Sequence, residues 1–404
     1  MEAKPKTGEK ALIGFLGTTT YSPVHYVLNG EPTPEVRLSL RALARFFPDH
    51  EVVVFATREA LERNWATVRE EFGYEPEAVL VPAGRGEKEI WKLLKLLTER
   101  FSSYGKLVLD ITHGFRAQPL LAFSAGYLLH TLGRAKIEGI YYASYQGHGR
   151  PAEIVDLAPL MDMLRWADGL SGLKRHGSTA VVSELLSSLT RRYWTTEGAA
   201  WKPRTLGPLA DLLDRLSIGL ALNRAREASE LALRLRRTLP PATRELRRVP
   251  QLAPVAPYFQ DALRGLAGLV PRGKRRPYDP PSRTDLRALA GMIRYYLEVR
   301  AYVQAITLGR EAIVTRLCLE KGLDPFGKEA RRAMESQINA WHHLKKSGSP
   351  LRSREQRYVD LWERVVDVRN DVNHAGFRAQ PVEGPGLAKK IGEAAREIAD
   401  WLEQ

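Results

Sequence analysis

Through the first 160 residues, short apolar runs alternate with amphipathic stretches of helical spacing. Ala11 to Gly17, Glu51 to Thr57, Ala78 to Pro82 and Lys106 to Thr112 are short and rich in apolar or β-branched residues, which predicts strands. Their nearly unbroken apolar character predicts cover on both faces, as in a parallel sheet. Between them, Pro34 to Phe47, Arg58 to Phe72 and Glu87 to Phe101 predict crossover helices, with Pro34 at a helix start and Trp91, Leu94, Leu97 and Phe101 as a core stripe. Lys136 to Tyr145 and Glu153 to Leu157 predict two more strands, joined through the Gly147 to Pro151 turn as a hairpin closing the sheet edge. The pattern as a whole predicts an α/β domain.

After Pro159 the strand-like runs stop and Leu and Ala recur at helical intervals. Residues 239 to 256 and 271 to 284 are rich in Pro, Arg and Gly and predict breaks between helices. The second, with Arg272, Lys274, Arg275 and Arg276, predicts a surface loop or linker whose cations are either solvated or in contact with RNA. The expected organisation is an α/β domain over 1–160, a helical linker or insertion over 161–284 and a last all-α domain over 285–404. No repeat of solenoid period occurs.

Composition narrows the choice of partner. The 404 residues allow two or three domains, and 61 Lys plus Arg against 47 Asp plus Glu leave a formal charge of +14. That balance favours an acidic partner, nucleic acid first. No apolar run approaches the ~20 residues of a spanning helix and the N-terminus is not signal-like, so no membrane partner and a cytoplasmic location are expected. The single cysteine, Cys318, lies in an apolar helical stretch and is expected in a core; it supports neither a disulfide framework nor a Cys-based zinc site.

Two segments carry candidate ligand chemistry. The strand ending in Leu109 runs directly into Asp110-Ile111-Thr112-His113-Gly114-Phe115-Arg116, and the apolar run Ala117 to Leu132 predicts a helix whose first amides face the same point. Gly114 allows close approach of backbone to ligand, and the arrangement suits an anion. Gly17-Thr18-Thr19-Thr20-Tyr21 follows the first strand and offers hydroxyls and amides without fixed charge, as recognition of phosphates or sugar hydroxyls requires. His113 and Arg116 can supply positive character. Ligands of open parallel sheets bind at such carboxyl ends. The chain has neither the Gly-x-Gly-x-x-Gly dinucleotide fingerprint nor the P-loop lysine, which argues against an ordinary dehydrogenase or a P-loop hydrolase.

The Asp-x-Thr-His-Gly run over Asp110 to Gly114, with Leu16-Gly17-Thr18-Thr19, resembles the CARF domain of type III CRISPR-associated proteins over about residues 8 to 160. The resemblance implies a Rossmann-like domain that dimerises and binds a cyclic oligoadenylate across its two-fold axis. It further implies Thr18, Thr19, Tyr21, Asp110, Thr112, His113, Gly114 and Arg116 as ligand-edge residues. A carboxylate beside phosphates repels them, so Asp110 is expected to hold the turn or to accept from a base or ribose hydroxyl.

A third segment lies near the C-terminus. Tyr358, Leu361, Val365, Val368 and Val372 recur at three and four residues and predict one helical seam carrying Arg369, Asn370 and His374, with Gly376 as its stop. Arg369 and His374 stand roughly 140° apart on an ideal helix. Either the helix loosens near Asn373 or the site is completed by a second copy of the chain. Such a set suits metal-free RNA cleavage, with His374 as general base or acid, Arg369 stabilising the charged transition state and Asn370 orienting one of them. The segment resembles the Arg-polar-x-x-x-His motif of HEPN ribonucleases, with Asn370 in the polar slot, and Tyr302 to Ala312 is similar to an early helix of that domain; the resemblance covers about residues 285 to 404.

His342, His343, Lys345 and Lys346 are expected to form an exposed basic helix end, Arg310 and Glu311 to pair within or between helices, and Trp194 and Trp201 to anchor helix packing or stack on bases. Acidic residues show no metal-ligand spacing with histidines, so no metal site is expected. The resemblances together imply a homodimeric CARF-HEPN endoribonuclease that cleaves single-stranded RNA without metal or cofactor, activated by cyclic oligoadenylate, cyclic tetra-adenylate foremost. The alternatives are a CARF-type transcription regulator, which would carry a helix-turn-helix for which the basic helical region 223 to 250 could be mistaken, and a ring nuclease that degrades its own ligand.

Overall fold

The computed structural model describes residues 6–147, 149–198, 200–267, 269, 283–373, 377 and 382–404. It divides into two compact units, Met1–Asp162 and Met163–Gln404.

In the first unit the apolar runs form β1 (Lys6–Leu16), β4 (Glu51–Ala56), β5 (Glu77–Leu80), β6 (Tyr104–Asp110) and β7 (Lys136–Ser144), all mutually parallel. With β2 (Tyr26–Leu28), β3 (Glu31–Pro32) and β8 (Ala152–Asp156) they make an eight-stranded sheet of order β3-β2-β8-β7-β6-β1-β4-β5. The helices are α1 (Ser39–Phe46), α2 (Arg58–Phe72), α3 (Glu87–Phe101) and α4 (Ala117–Thr131). Side chains of β1 and β4 alternate between two cores. Leu12, Leu16, Val52 and Val54 meet Leu40 and Leu43 of α1 and Ala60 and Val68 of α2. Ala11, Ile13, Val53 and Phe55 meet Leu93 and Leu97 of α3 and Ala122 and Ala125 of α4. Both strand faces are therefore buried, which is why the sequence reads as apolar runs rather than as alternation.

After the β2–β3 hairpin, which lies at the far edge, the chain pairs outward from β1 through β4 and β5, and then returns to the other side of β1 as β6. The reversal makes the carboxyl ends of β1 and β6, at Leu16 and Asp110, the switch point at which open α/β sheets bind ligands. Both predicted ligand segments begin there.

Several expectations about this unit need correction. The helix expected from Pro34 begins at Ser39, because the preceding chain is held extended by the Val24–Val36 bridge. The hairpin of β2 and β3 was not expected, although Asn29-Gly30, both with positive φ, is the two-residue turn such a hairpin requires. That hairpin pairs with β8, so β3, not the β7–β8 pair, forms the sheet edge. Trp91 is 60% exposed; the buried stripe of α3 runs through Leu93, Leu97 and Phe101. His148, inside the expected Gly147 to Pro151 turn, lies outside the described residues.

The second unit is helical: α5 (Pro159–His176), whose first turn belongs to the first unit, α6 (Ala180–Thr195), α7 (Leu206–Ala221), α8 (Ala225–Leu246), α9 (Ala256–Ala267), α10 (Arg283–Glu298), α11 (Tyr302–Glu320), α12 (Lys328–Lys346), α13 (Ser353–Asn373) and α14 (Gly384–Glu403). One hydrophobic cluster runs from Trp166 to Leu402, so the expected division near residue 284 falls inside this unit. The break expected from residue 239 is absent up to Leu246, since α8 continues through Pro240 and Pro241. Leu235, Leu239, Ala242 and Leu246 keep one buried face across the prolines, and Pro240 itself is exposed. The segment 270–282, including most of the expected linker, lies outside the described residues. Cys318 is buried in the core, which pushes its thiol pKa up.

Candidate functional site

At the sheet edge, glycines set how close the two ligand segments come. Gly114 has φ +102°, and a Cβ there would fall 2.6 Å from Gln118 Oε1 and 2.8 Å from Phe15 Cβ. A Cβ at Gly17 would lie 3.2 Å from the Tyr21 hydroxyl and 3.5 Å from Gly114 N, so the loops after β1 and β6 are in contact. Their side chains meet too, with the Tyr21 and His113 rings edge to face at 4.7 Å between centroids.

Each loop is fastened from behind. Gly17 N donates to the Tyr21 hydroxyl at 2.7 Å, and Asn64 Nδ2 of α2 donates to the carbonyls of Gly17 and Thr19 at 2.8 and 2.9 Å. Arg63 Nη1 donates to Thr18 O at 3.3 Å. Backbone carbonyls are thereby turned away from the edge while Thr19 and Thr20 remain exposed. Burial, the first cause, and the nearby Asp110 carboxylate push the Tyr21 pKa up to about 12, so this hydroxyl stays protonated at neutral pH.

Asp110 is only 2% exposed. One of its oxygens accepts from Ser39 Oγ at 2.6 Å, the other from Thr112 N at 3.0 Å. It holds the turn. Thr112 Oγ1 in turn accepts from Ala143 N of β7 at 2.9 Å, leaving its hydroxyl hydrogen to donate. Gln118, fully buried in the first turn of α4, accepts from Phe115 N at 3.0 Å. Arg116, the residue before α4, is exposed and makes no ion pair among the described residues. It stands beside the helix amides as the free cation of the edge.

His113 departs from expectation. Its Nε2 is buried without a hydrogen-bond partner, and burial holds the imidazole pKa below its usual 6.5 despite the opposing pull of Asp110. It is a neutral ring with one buried, unused nitrogen, and positive character at the edge comes from Arg116 instead.

On α13 the predicted seam is present. Tyr358, Leu361, Val365 and Val368 are buried, and Val372 packs against the same cluster. Arg369 is half-buried with Nε unpartnered, and Asn370 is exposed. His374 and Gly376 lie outside the described residues. Arg310 pairs with Glu311 at 2.7 Å on its own helix and with Glu335 of α12 at 2.9 Å. The expected basic end of α12 is largely neutralised by α13: Lys345 binds Asp360 and Glu363 at 2.8 and 2.6 Å, and His342 lies 3.1 Å from Glu363.

Four positioning residues were missed. Asn64 stands on the buried stripe Ala60, Asn64, Val68, Phe72, where one polar member among apolar ones is the readable sign. Gln118 is the same sign in an apolar helix. Asp371, buried two positions after Arg369 in the sequence, accepts from Val382 N at 3.2 Å and so joins the end of α13 to the chain entering α14. Ser39 carried no sign, since its partner is 71 positions away. Among the described residues no group of three or more His, Cys, Asp or Glu side chains converges as a metal site.

Residues 11–146 match the family model described as the CARF domain of the CRISPR system endoribonuclease Csx1, about a third of the chain. CRISPR-associated protein MJ1674 of Methanocaldococcus jannaschii is 28% identical over 117 residues, which is 27% of this chain and 18% of that relative's length. The matched region is the sheet domain with both edge loops, and the N-terminal unit is thus an α/β domain of CARF type followed by a largely helical region. The two findings support a CRISPR-associated CARF protein. Among the described residues no helix is long and apolar enough to cross a membrane.

Proposed function

We propose that the protein is a cyclic-oligoadenylate-activated, metal-independent endoribonuclease of type III CRISPR defence, acting as a cytoplasmic homodimer on single-stranded RNA. The observation that carries the reading is the joined pair of glycine loops at the switch point, where the hydroxyls of the Thr18 to Tyr21 loop and the free Arg116 stand at the carboxyl ends of β1 and β6. Thr18, Thr19, Thr112 and Tyr21 donate to phosphate or ribose oxygens, His113 lines the edge as a neutral ring packed on Tyr21, and Asp110 keeps the loop in shape. Cyclic tetra-adenylate is the preferred ring.

The helical half is read as a HEPN domain from Arg369, Asn370 and His374 on and after α13. His374 removes the proton from a ribose 2′-hydroxyl; the 2′-oxygen bonds to the adjacent phosphorus and the 5′-oxygen leaves, taking up a proton. Arg369 stabilises the extra negative charge on the phosphoryl oxygens. The products are a 2′,3′-cyclic phosphate and a 5′-hydroxyl. Dimerisation is supported by α4, which is apolar on all sides and leaves Leu120 67% and Leu128 45% exposed.

The test is cleavage of a labelled single-stranded RNA with each cyclic oligoadenylate in turn, in the presence of a chelator. Cleavage with one ring size, undiminished by chelator, is expected; no cleavage with any ring, or a need for divalent metal, overturns the proposal. Following linear adenylates in the same reactions separates the ring-nuclease alternative.

A further inference from the structure

A second concave surface lies wholly within the helical unit. The end of α6, the loop after it and the end of α8 enclose a groove of about 530 Å³ lined by Trp194, Trp201, Lys202, Arg204, Glu245 and Arg248. The two indoles are held firmly. Trp194 is 53% exposed, yet its Nε1 donates to Pro203 O at 2.9 Å, so the polar edge is satisfied while much of the ring meets water. Trp201 sits edge to face with Tyr193 at 5.4 Å between centroids.

Cations stand over both rings, Lys202 Nζ at 5.2 Å from the Trp194 centroid and the Arg248 guanidinium at 5.8 Å from that of Trp201. Among the described residues no carboxylate forms an ion pair with either cation. Glu245, the acidic residue of the groove, accepts from the backbone amides of Arg204 and Thr205 at 3.0 and 2.9 Å, one bond to each oxygen, which directs its carboxylate to the backbone of the loop. Lys202, Arg204 and Arg248 make no ion pair among the described residues, and Arg244 and Arg247 add exposed positive charge on the adjoining turn. Flat aromatic faces set among unneutralised cations fit a chain of flat rings joined by phosphates.

We propose that this groove binds single-stranded RNA by stacking bases on Trp194 and Trp201 and pairing phosphates with Lys202, Arg204 and Arg248, as a docking site separate from the cleaving residues. The choice of RNA rests on the ribonuclease reading; the stacking chemistry does not.

The experiment measures anisotropy of a labelled 2′-O-methyl oligouridylate, which lacks the attacking hydroxyl, with the full-length protein. Trp194→Ala is expected to weaken binding about tenfold, and Trp194→Phe to restore most of it. Lys202→Gln should lower the slope of log affinity against log salt by about 0.7, whereas Lys321→Gln, an exposed control, changes neither quantity. A matched RNA duplex should compete at least about tenfold less well. Unchanged affinity in Trp194→Ala, or equal competition by duplex, overturns the proposal. If the wild type binds this probe with these sensitivities but cuts no RNA, the ribonuclease reading fails and the groove stands; if it cuts RNA and Trp194→Ala binds normally, the groove alone fails.

Discussion

Single residues at the sheet edge show how an environment reassigns a side chain. In the sequence His113 beside Arg116 reads as a second cation, because a histidine near neutral pH can carry charge. Burial settles the matter the other way, holding its pKa below 6.5. Between that lowered value and 6.5 the unfolded chain binds more protons than the folded one, so stability rises with pH through this window and is lost as pH falls below about 6.5. The melting temperature of the wild type should therefore fall more steeply on acidification than that of His113→Gln; parallel curves in a thermal melt series would contradict the assignment. Tyr21 supplies a second case. Tyr21→Phe leaves the Gly17 amide without its acceptor and should cost about 1–2 kcal/mol in urea unfolding, with loosening of the Thr18 to Thr20 loop.

Elements were legible where their pattern was local. The parallel strands and α2 to α4 follow from apolar runs and helical spacing, and the C-terminal seam follows from intervals of three and four. What escaped depends on partners distant in sequence. The buried stripe of α3 differs from the expected one by the exposure of Trp91, the only partial burial of Leu94 and the gain of Leu93, and only the position of the sheet decides between them. The candidate site divides in the same way: the loop residues could be named, Asn64 and Gln118 show only as lone polar members of apolar helix faces, and Ser39 becomes visible only when the fold brings it behind Asp110. The prolines of α8 show tertiary packing overriding local propensity. Since Pro240 is exposed, Pro240→Ala should restore a backbone donor without disturbing the core and raise stability by about 1–3 kcal/mol, read as a higher urea midpoint.

At the scale of the whole molecule, the proposed mechanism separates sensing from cutting. Arg369→Ala should lower turnover by about a hundredfold or more at unchanged activator affinity, while Arg116→Ala should raise the activator concentration needed and leave basal cleavage intact. Titrating each variant with cyclic tetra-adenylate distinguishes the two, and an exchange of phenotypes would reverse the site assignments. Leu120→Glu with Leu128→Glu should yield monomers in light scattering without unfolding the sheet domain, because both side chains already face water within one copy.

The helix that carries those leucines begins beside Arg116. One fifteen-residue rod thus has its head at the proposed ligand edge and its flank on the surface proposed to meet a second copy. If pairing of copies and capture of the ring share that rod, each is favoured by the other, and dilution alone weakens the response to a fixed amount of messenger. The protein would then read two abundances at once, staying quiet in a cell that holds few copies of it even when some activator is present.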